Sequence, residues 1–194
     1  MNTQKILKGL KKNWGSLLFY ALLALVIFSP SAKSWLLQQA VSTGLFKAEI
    51  KKDHTDKNTA PISFSFNDAS GRTVDIAELK GKVVFINFWA SWCPPCRAEM
   101  PSLENLYQKL KDDNRFVFLF MNEDEDKNKA AQYLQKNQFT IPLHSTSGNV
   151  PTEIFSGTLP TTVVLNKEGK VVLKHQGMAE YDSEDFIAQL KEML

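Results

Sequence analysis

The sequence predicts an α/β fold with a mixed central sheet that is covered on both faces. The 194 residues are 43% hydrophobic and 23% charged, which is a globular composition. Nearly continuous apolar runs, typical of strands buried on both faces, alternate with helical patterns in the first part of the body. A hairpin and a helix close the chain, and that order indicates a mixed sheet.

The net charge of +2 is unevenly distributed along the chain. Residues 1–57 hold nine lysines and three acidic residues, whereas residues 58–194 carry a net charge of −4. The body has no basic stripe with interleaved aromatic residues. We therefore expect no nucleic-acid partner.

The N-terminal segment predicts a membrane anchor. Residues 1–13 form a basic region before an apolar run from Trp14 to Phe28, so the N-terminus is expected in the cytoplasm and the remainder outside it. The run is shorter than the roughly 20 residues that span a bilayer. Extension to Ala32 brings it close to that length, and we expect a transmembrane helix over residues 14–32. A cleaved signal peptide is the alternative.

Residues 33–59 are expected to form an interfacial helix and a linker. Apolar side chains recur there at helical spacing, at Trp35, Leu36, Leu37, Ala40, Val41 and Leu45. Such a helix suits the outer membrane surface, and packing on the folded domain is the alternative. The polar stretch from residue 51 leads into a domain expected over residues 60–194.

The domain is predicted to open with a β-hairpin, because residues 62–66 alternate like a strand and a turn separates them from a short strand at 72–74. Asp75 is expected to cap a short helix that ends before Gly81. The remaining predicted elements are buried strands at 83–88 and 116–121, helices at 93–112 and 127–137, a further strand at 139–143, a hairpin of 161–165 with 171–174, and a final helix opened by Ser183.

The two cysteines, Cys93 and Cys96, are spaced C-x-x-C where a buried strand gives way to a helix. A sulfur at a helix N-terminus meets unpaired N–H groups and the positive end of the helix dipole, which lower the pKa of the thiol. Cys93 is therefore the expected nucleophile, and Cys96, one turn further, resolves the mixed disulfide. Pro94 and Pro95 are tolerated there because N–H groups of the first turn have no helical partner.

Other uses of this pair fit less well. A zinc site lacks a second C-x-x-C or a close histidine pair, and haem attachment lacks a histidine, since Arg97 follows Cys96. A purely structural disulfide would close too small a loop to stabilise much. We expect no metal and no cofactor other than the redox-active disulfide.

The segment VFINFWASWCPPCRAEMP, residues 84–101, resembles the membrane-tethered TlpA/ResA-like branch of the thioredoxin fold. LPTT at 159–162 and NKEGK at 166–170 resemble a second motif of that branch. The resemblance covers about residues 60–194. It implies a thioredoxin-like, three-layer α/β/α arrangement with the N-terminal hairpin and a helix-strand insertion before a cis-proline.

The same resemblance implies further site residues. Pro160 corresponds to the cis-proline that faces the active site and turns the Leu159 backbone toward a substrate strand. Glu99 corresponds to a glutamate near the disulfide that can relay protons for Cys96; a solvated helix carboxylate is the alternative. Asn87 stands where thioredoxin itself has a buried aspartate. Trp92 is expected to form an exposed rim for partners, together with Pro94 and Pro95.

The function expected from these residues is an extracytoplasmic thiol-disulfide oxidoreductase of a bacterial cytoplasmic membrane. It would reduce protein disulfides, with electrons from a membrane thiol donor, and the resemblance extends this to cytochrome c maturation in the periplasm. Two alternatives stay open: an oxidase that donates disulfides, and a copper-binding or copper-delivery module that uses the same two thiols.

Overall fold

The computed structural model describes residues 14–42, 48, 50 and 61–194. The basic residues 1–13, Leu45 of the expected interfacial helix and the expected linker from residue 51 to 60 lie outside this part of the chain.

The apolar N-terminal run forms helix α1, Trp14–Phe28, and a second helix follows at once, α2, Pro30–Ser42. Ser29 separates them and caps α2, since its Oγ accepts a hydrogen bond from the Ala32 N–H at 3.3 Å. The expected single helix over 14–32 is therefore wrong in shape, because Pro30 lacks the N–H that would continue α1. Within residues 14–42 no single helix is long and apolar enough to cross a membrane, and the two helices meet the length and composition required only as a pair bent by 91°.

Helix α2 packs on the domain along one side and faces outward along the other. Val41 and Ser34 are buried, whereas Trp35 and Leu36 are exposed. The alternative of a helix packed on the domain is thus what the described residues show, and two of its apolar side chains still point away from the protein.

A four-stranded mixed sheet forms the centre of the domain, in the order β4-β3-β6-β7. Its strands are β3 (Val83–Trp89), β4 (Phe116–Asn122), β6 (Thr161–Leu165) and β7 (Val171–Gln176). Strands β3 and β4 are parallel, and the other pairs are antiparallel. Every residue of β3 and of β6 is buried, which explains their continuous apolar patterns.

A second, three-stranded antiparallel sheet is formed by β1 (Ser65–Asn67), β2 (Thr73–Asp75) and β5 (Ser145–Ser147), with β1 in the middle. The strand expected at residues 139–143 is wrong, since β5 begins at Ser145. The Glu104 carboxylate accepts the backbone N–H groups of Thr140 and Ile141, and Pro142 has no N–H. Residues 140–142 therefore have no donor for a strand ladder.

The helices of the domain begin close to the predicted residues because local capping determines them. They are α3 (Pro94–Leu110), α4 (Lys127–Lys136) and α5 (Glu184–Lys191), and a 3₁₀ helix spans Ile76–Leu79. Cys93, Asp126, Ser183 and Asp75 are their respective N-caps, each accepting a backbone N–H through its side chain.

The two faces of the central sheet are covered differently. On one face, Phe85 and Phe120 pack with side chains of α3, α4 and α5, among them Leu106, Leu134 and Phe186. The opposite face is covered mainly by the small sheet, the 3₁₀ helix and the turn at Ile154, whose neighbour Phe155 stacks on Phe88 at 4.3 Å. The mixed sheet is as predicted, but the second covering layer is mostly strand and turn, where the three-layer α/β/α expectation has helices.

Candidate functional site

Cys93 and Cys96 form a disulfide at the beginning of α3, with Cα atoms 5.3 Å apart. Cys93 is the N-cap of the helix, and its Sγ accepts a hydrogen bond from the Cys96 backbone N–H at 3.3 Å. In the reduced protein this N–H and the helix dipole stabilise a thiolate on Cys93. Both cysteines are buried: Cys96 is completely inaccessible to solvent, and Cys93 is 3% exposed. The geometry agrees with the expectation that Cys93 is the nucleophile, a role that stays a prediction, and Cys93 is the slightly more exposed of the two residues.

The surroundings of the disulfide at the surface are apolar. Trp92 is 61% exposed, and Pro94 and Pro95 are partly exposed. These are the side chains expected to form the rim, and their contact with substrate stays a prediction. Trp89, three residues earlier, is fully buried and belongs to the core.

Pro160 comes to the same end of the sheet through the strand register. Strands β3 and β6 are antiparallel with Phe88 opposite Thr161, so the residues before Thr161 lie at the edge where β3 ends and Cys93 follows. The Leu159–Pro160 peptide bond is cis, in agreement with the resemblance. Leu159 is partly exposed, and its pairing with a substrate strand stays a prediction.

Glu99 is completely buried one helical turn after Cys96. Its Oε1 accepts a hydrogen bond from Asn87 Nδ2 at 2.8 Å, and its Oε2 accepts one from the Ala179 N–H at 3.3 Å. The alternative of a solvated helix carboxylate is therefore wrong, because β3 and the segment before α5 close over this side chain. Residues three apart on a helix are neighbours, so Glu99 and Cys96 lie on the same buried face.

Burial sets the protonation of Glu99. Desolvation raises its pKa to about 8, and the hydrogen bonds from Asn87 and Ala179 only partly oppose it. An acid with such a pKa is mostly neutral at pH 7 and can still give up its proton near the pH at which thiols ionise. This is the property that a proton relay to Cys96 requires.

Asn87, on β3, forms hydrogen bonds both to Glu99 and to β6. Its Nδ2 also donates to Thr162 Oγ1 at 2.9 Å, whereas its Oδ1 is buried without a hydrogen-bond partner among the described residues. The buried Tyr181 has its pKa raised by desolvation and by the charge of Glu99, so it too lies near this group. The sequence predicted Asn87 only as a departure from thioredoxin and did not single out Thr162 or Tyr181.

Asp124 forms hydrogen bonds to the loop that leads to Cys93, a role that the sequence did not predict. It is buried after the end of β4, and its two oxygens accept the backbone N–H and the hydroxyl of Ser91, both at 2.9 Å. Asn122 Nδ2 donates to it as well, at 2.7 Å. Within the acidic run 123–126, Asp126 caps α4, whereas Asp124 binds the active-site loop. The only available sequence signal was that parallel strands end at one edge.

We expect Asp124→Ala to destabilise the protein by about 1–3 kcal/mol, because the Ser91 N–H loses its acceptor in a partly buried place. Chemical denaturation of the oxidised chain measures this loss. Ser91→Ala is the matched control, since it removes only the hydroxyl contact and should cost less. Equal losses for the two variants would contradict the role of the backbone contact.

The described residues contain no group of three or more His, Cys, Asp or Glu side chains placed to bind a metal ion.

Comparison with known proteins gives one consistent result. Residues 55–190 match the Redoxin family. Thiol-disulfide oxidoreductase ResA from Bacillus thuringiensis (strain Al Hakam) is 30% identical over 185 residues, 95% of this chain and 99% of that protein. ResA from Bacillus subtilis (strain 168) is 30% identical over 143 residues, 73% of this chain and 79% of that protein. The crystal structure of StoA from Bacillus subtilis superposes with a TM-score of 0.53 at 25% identity and covers 69% of this chain and 97% of that one.

Proposed function

Since the chain belongs to the Redoxin family and is a ResA-like thiol-disulfide oxidoreductase, we propose that it reduces disulfides of protein substrates outside the cytoplasm while α1 holds it at the membrane. The observation that carries the exchange chemistry is the site itself, and the reductive direction is proposed from the likeness to the ResA relatives. Cys93 caps a helix whose N–H groups stabilise its thiolate, and Glu99 is a buried acid close enough along α3 to serve Cys96.

The reaction consists of two exchanges. The Cys93 thiolate attacks one sulfur of a substrate disulfide, which forms a mixed disulfide and releases the other substrate sulfur as a thiolate. The ionised form of Glu99, which is the minor form at pH 7 and grows as the pH approaches 8, then accepts the Cys96 proton, and the Cys96 thiolate attacks Cys93 Sγ. The second substrate thiolate leaves, so the substrate has gained two electrons and Cys93–Cys96 is oxidised. The dithiol pair carries both electrons, and we propose no further cofactor.

The membrane location is supported by the N-terminus. Basic residues come before α1, and large apolar side chains of α1 are exposed, including Trp14, Leu22 and Phe28. Such a surface is stable in contact with lipid, and positive charge before it favours an N-terminus in the cytoplasm. The catalytic domain would then lie in an oxidising compartment, where a membrane dithiol donor must return Cys93–Cys96 to the reduced state. The substrate that we propose from the family resemblance of residues 84–101 is the disulfide of apocytochrome c, whose two thiols must be reduced before haem is attached.

The reduction potential of Cys93–Cys96 tests the direction. We expect about −270 mV or lower for the full chain in detergent, equilibrated with dithiothreitol buffers, because a reductase must hold its electrons less tightly than its substrates do. The measurement is the oxidised fraction, read by thiol alkylation and mass spectrometry. A potential near −120 mV would overturn the proposal and indicate an oxidase that donates disulfides.

A further inference from the structure

A cavity of about 870 Å³ lies between α2, α3 and α4, beside the loop that leads to the active site. Its wall includes Ser91, which is two residues before Cys93, and Arg97, which is one residue after Cys96. Trp35 of α2 also lines the cavity. The cavity therefore adjoins the reactive disulfide along the chain on both sides.

The cavity is basic. Lys129, Tyr133 and Lys136 line it from α4, and their spacing places them on one face of that helix. The guanidinium of Arg97 lies 5.1 Å from the centre of the Tyr133 ring, and its Nη2 donates to Ser31 Oγ at 3.3 Å. Of the described residues that line the cavity, none is Asp or Glu. Three positive charges thus face one space.

None of these three cations forms an ion pair with a carboxylate of the described residues. The ion pairs found there, Arg72 with Asp68 and Arg115 with Asp113, are elsewhere. Two acids near the start of α4 are already engaged, since Asp124 binds Ser91 and Asp126 caps the helix. The Nε of Arg97 is buried without a hydrogen-bond partner among the described residues. The basic cavity is also in contrast with residues 58–194 as a whole, which carry a net charge of −4.

We propose that this cavity binds an acidic segment of the protein substrate, next to the substrate cysteine that Cys93 attacks. An extended peptide advances roughly 3.3 Å per residue, so a segment seated beside Ser91 needs only a few residues to reach Cys93. Its carboxylates would pair with Lys129, Lys136 and Arg97, which steers the encounter and fixes the direction of the bound chain. This inference rests on the proposed function and adds the chemistry by which a substrate is chosen.

The test compares three disulfides as substrates of the fully reduced full chain in nonionic detergent. Two are peptides with one internal disulfide, identical except for three flanking residues, which are aspartates in one and lysines in the other. The third is hydroxyethyl disulfide, which is small and uncharged. Second-order rate constants are measured at low salt and at 0.5 M NaCl for the wild type and for the double variant Lys129→Gln, Lys136→Gln.

We expect the wild type to reduce the acidic peptide about tenfold faster than the basic one at low salt, with a smaller ratio at high salt. The double variant should lose most of this preference and react with hydroxyethyl disulfide like the wild type, which shows that its active site is intact. Lys127→Gln is the matched control: this residue is on the same helix, but its Nζ donates to Ser145 Oγ and it does not line the cavity. The control should keep the preference.

Equal rates with the two peptides in the wild type would overturn the inference, as would a preference that survives in the double variant or is lost equally in Lys127→Gln. A wild-type chain that reduces none of the three disulfides would instead overturn the proposed function. The uncharged substrate therefore separates the two failures.

Discussion

Cys96→Ser should arrest the reaction halfway, so that the chain accumulates covalently joined to its substrate through Cys93. The helix N-terminus still stabilises the Cys93 thiolate, and the first exchange does not need the second thiol. Without the Cys96 sulfur, nothing inside the protein attacks the mixed disulfide. Turnover should fall by roughly 10³-fold or more, as expected when a residue that makes or breaks a covalent bond is removed.

The adduct is measured by incubating the reduced variant with a disulfide-bearing protein, followed by non-reducing gel electrophoresis and mass spectrometry. Cys93→Ser is the matched control, because it also keeps one thiol. Cys96 is completely buried and lies beyond the helix start, so this variant should form little adduct and show equally low turnover. An adduct of similar yield through Cys96 would contradict the assignment of Cys93 as the nucleophile.

The free energy of unfolding of the wild type should decline as the pH rises, and Glu99→Gln should abolish this decline. The pKa of Glu99 is about 8 in the folded protein, against an ordinary value of 4.5 in the unfolded chain. Its contribution is therefore fully favourable below about pH 4.5, where both states hold the proton, and declines as the pH rises toward 8, because the unfolded chain releases the proton first. Between pH 5 and pH 7 the wild type should lose roughly 2–3 kcal/mol relative to the variant.

Chemical denaturation of both proteins at pH 5 and pH 7, with the disulfide kept oxidised, measures this difference. The readout is the difference between the free energies of unfolding at pH 5 and pH 7. A glutamine NH₂ directed at the N–H of Asn87 or Ala179 would cost stability equally at both pH values, so it cancels in this difference. Glu104→Gln is the matched control with the opposite sign. Although burial raises the pKa of Glu104, hydrogen bonds from Thr140 and Gln108 hold it below its ordinary value, so its contribution is lost as the pH falls. Parallel pH dependences for the wild type and Glu99→Gln would show that Glu99 is ionised when folded.

The catalytic pair could be predicted because its chemistry is local. Two thiols separated by two residues at the start of a helix are within disulfide distance in any protein that forms that helix, and the apolar run before Cys93 predicts the buried strand. The N-caps of the helices are equally local, since each involves a side chain and an N–H group two or three residues away.

The predictions that were wrong depend on residues far away in the sequence from the segment concerned. The expected strand at 139–143 has two of its N–H groups bound by Glu104, a residue of α3 that periodicity does not connect to it. The opposite face of the sheet is covered mainly by the small sheet, the 3₁₀ helix and the turn at Ile154, and the small sheet is completed by β5, which joins β1 after a long excursion of the chain. An apolar strand pattern shows that a face is buried and does not show what covers it.

The sequence by itself determined the dithiol, the start of its helix, the order of buried strands and the apolar N-terminal helix, because each depends on residues within a few positions of one another. Only the tertiary structure decided that Glu99 is a buried acid, since its hydrogen-bond partners Asn87 and Ala179 belong to different strands and loops and it is their packing that excludes water. The same holds for Asp124 beneath Ser91 and for the three cations that meet between α3 and α4. Hydrogen bonding and the pKa of a buried group depend on neighbours in space, and these are brought together only when the chain folds.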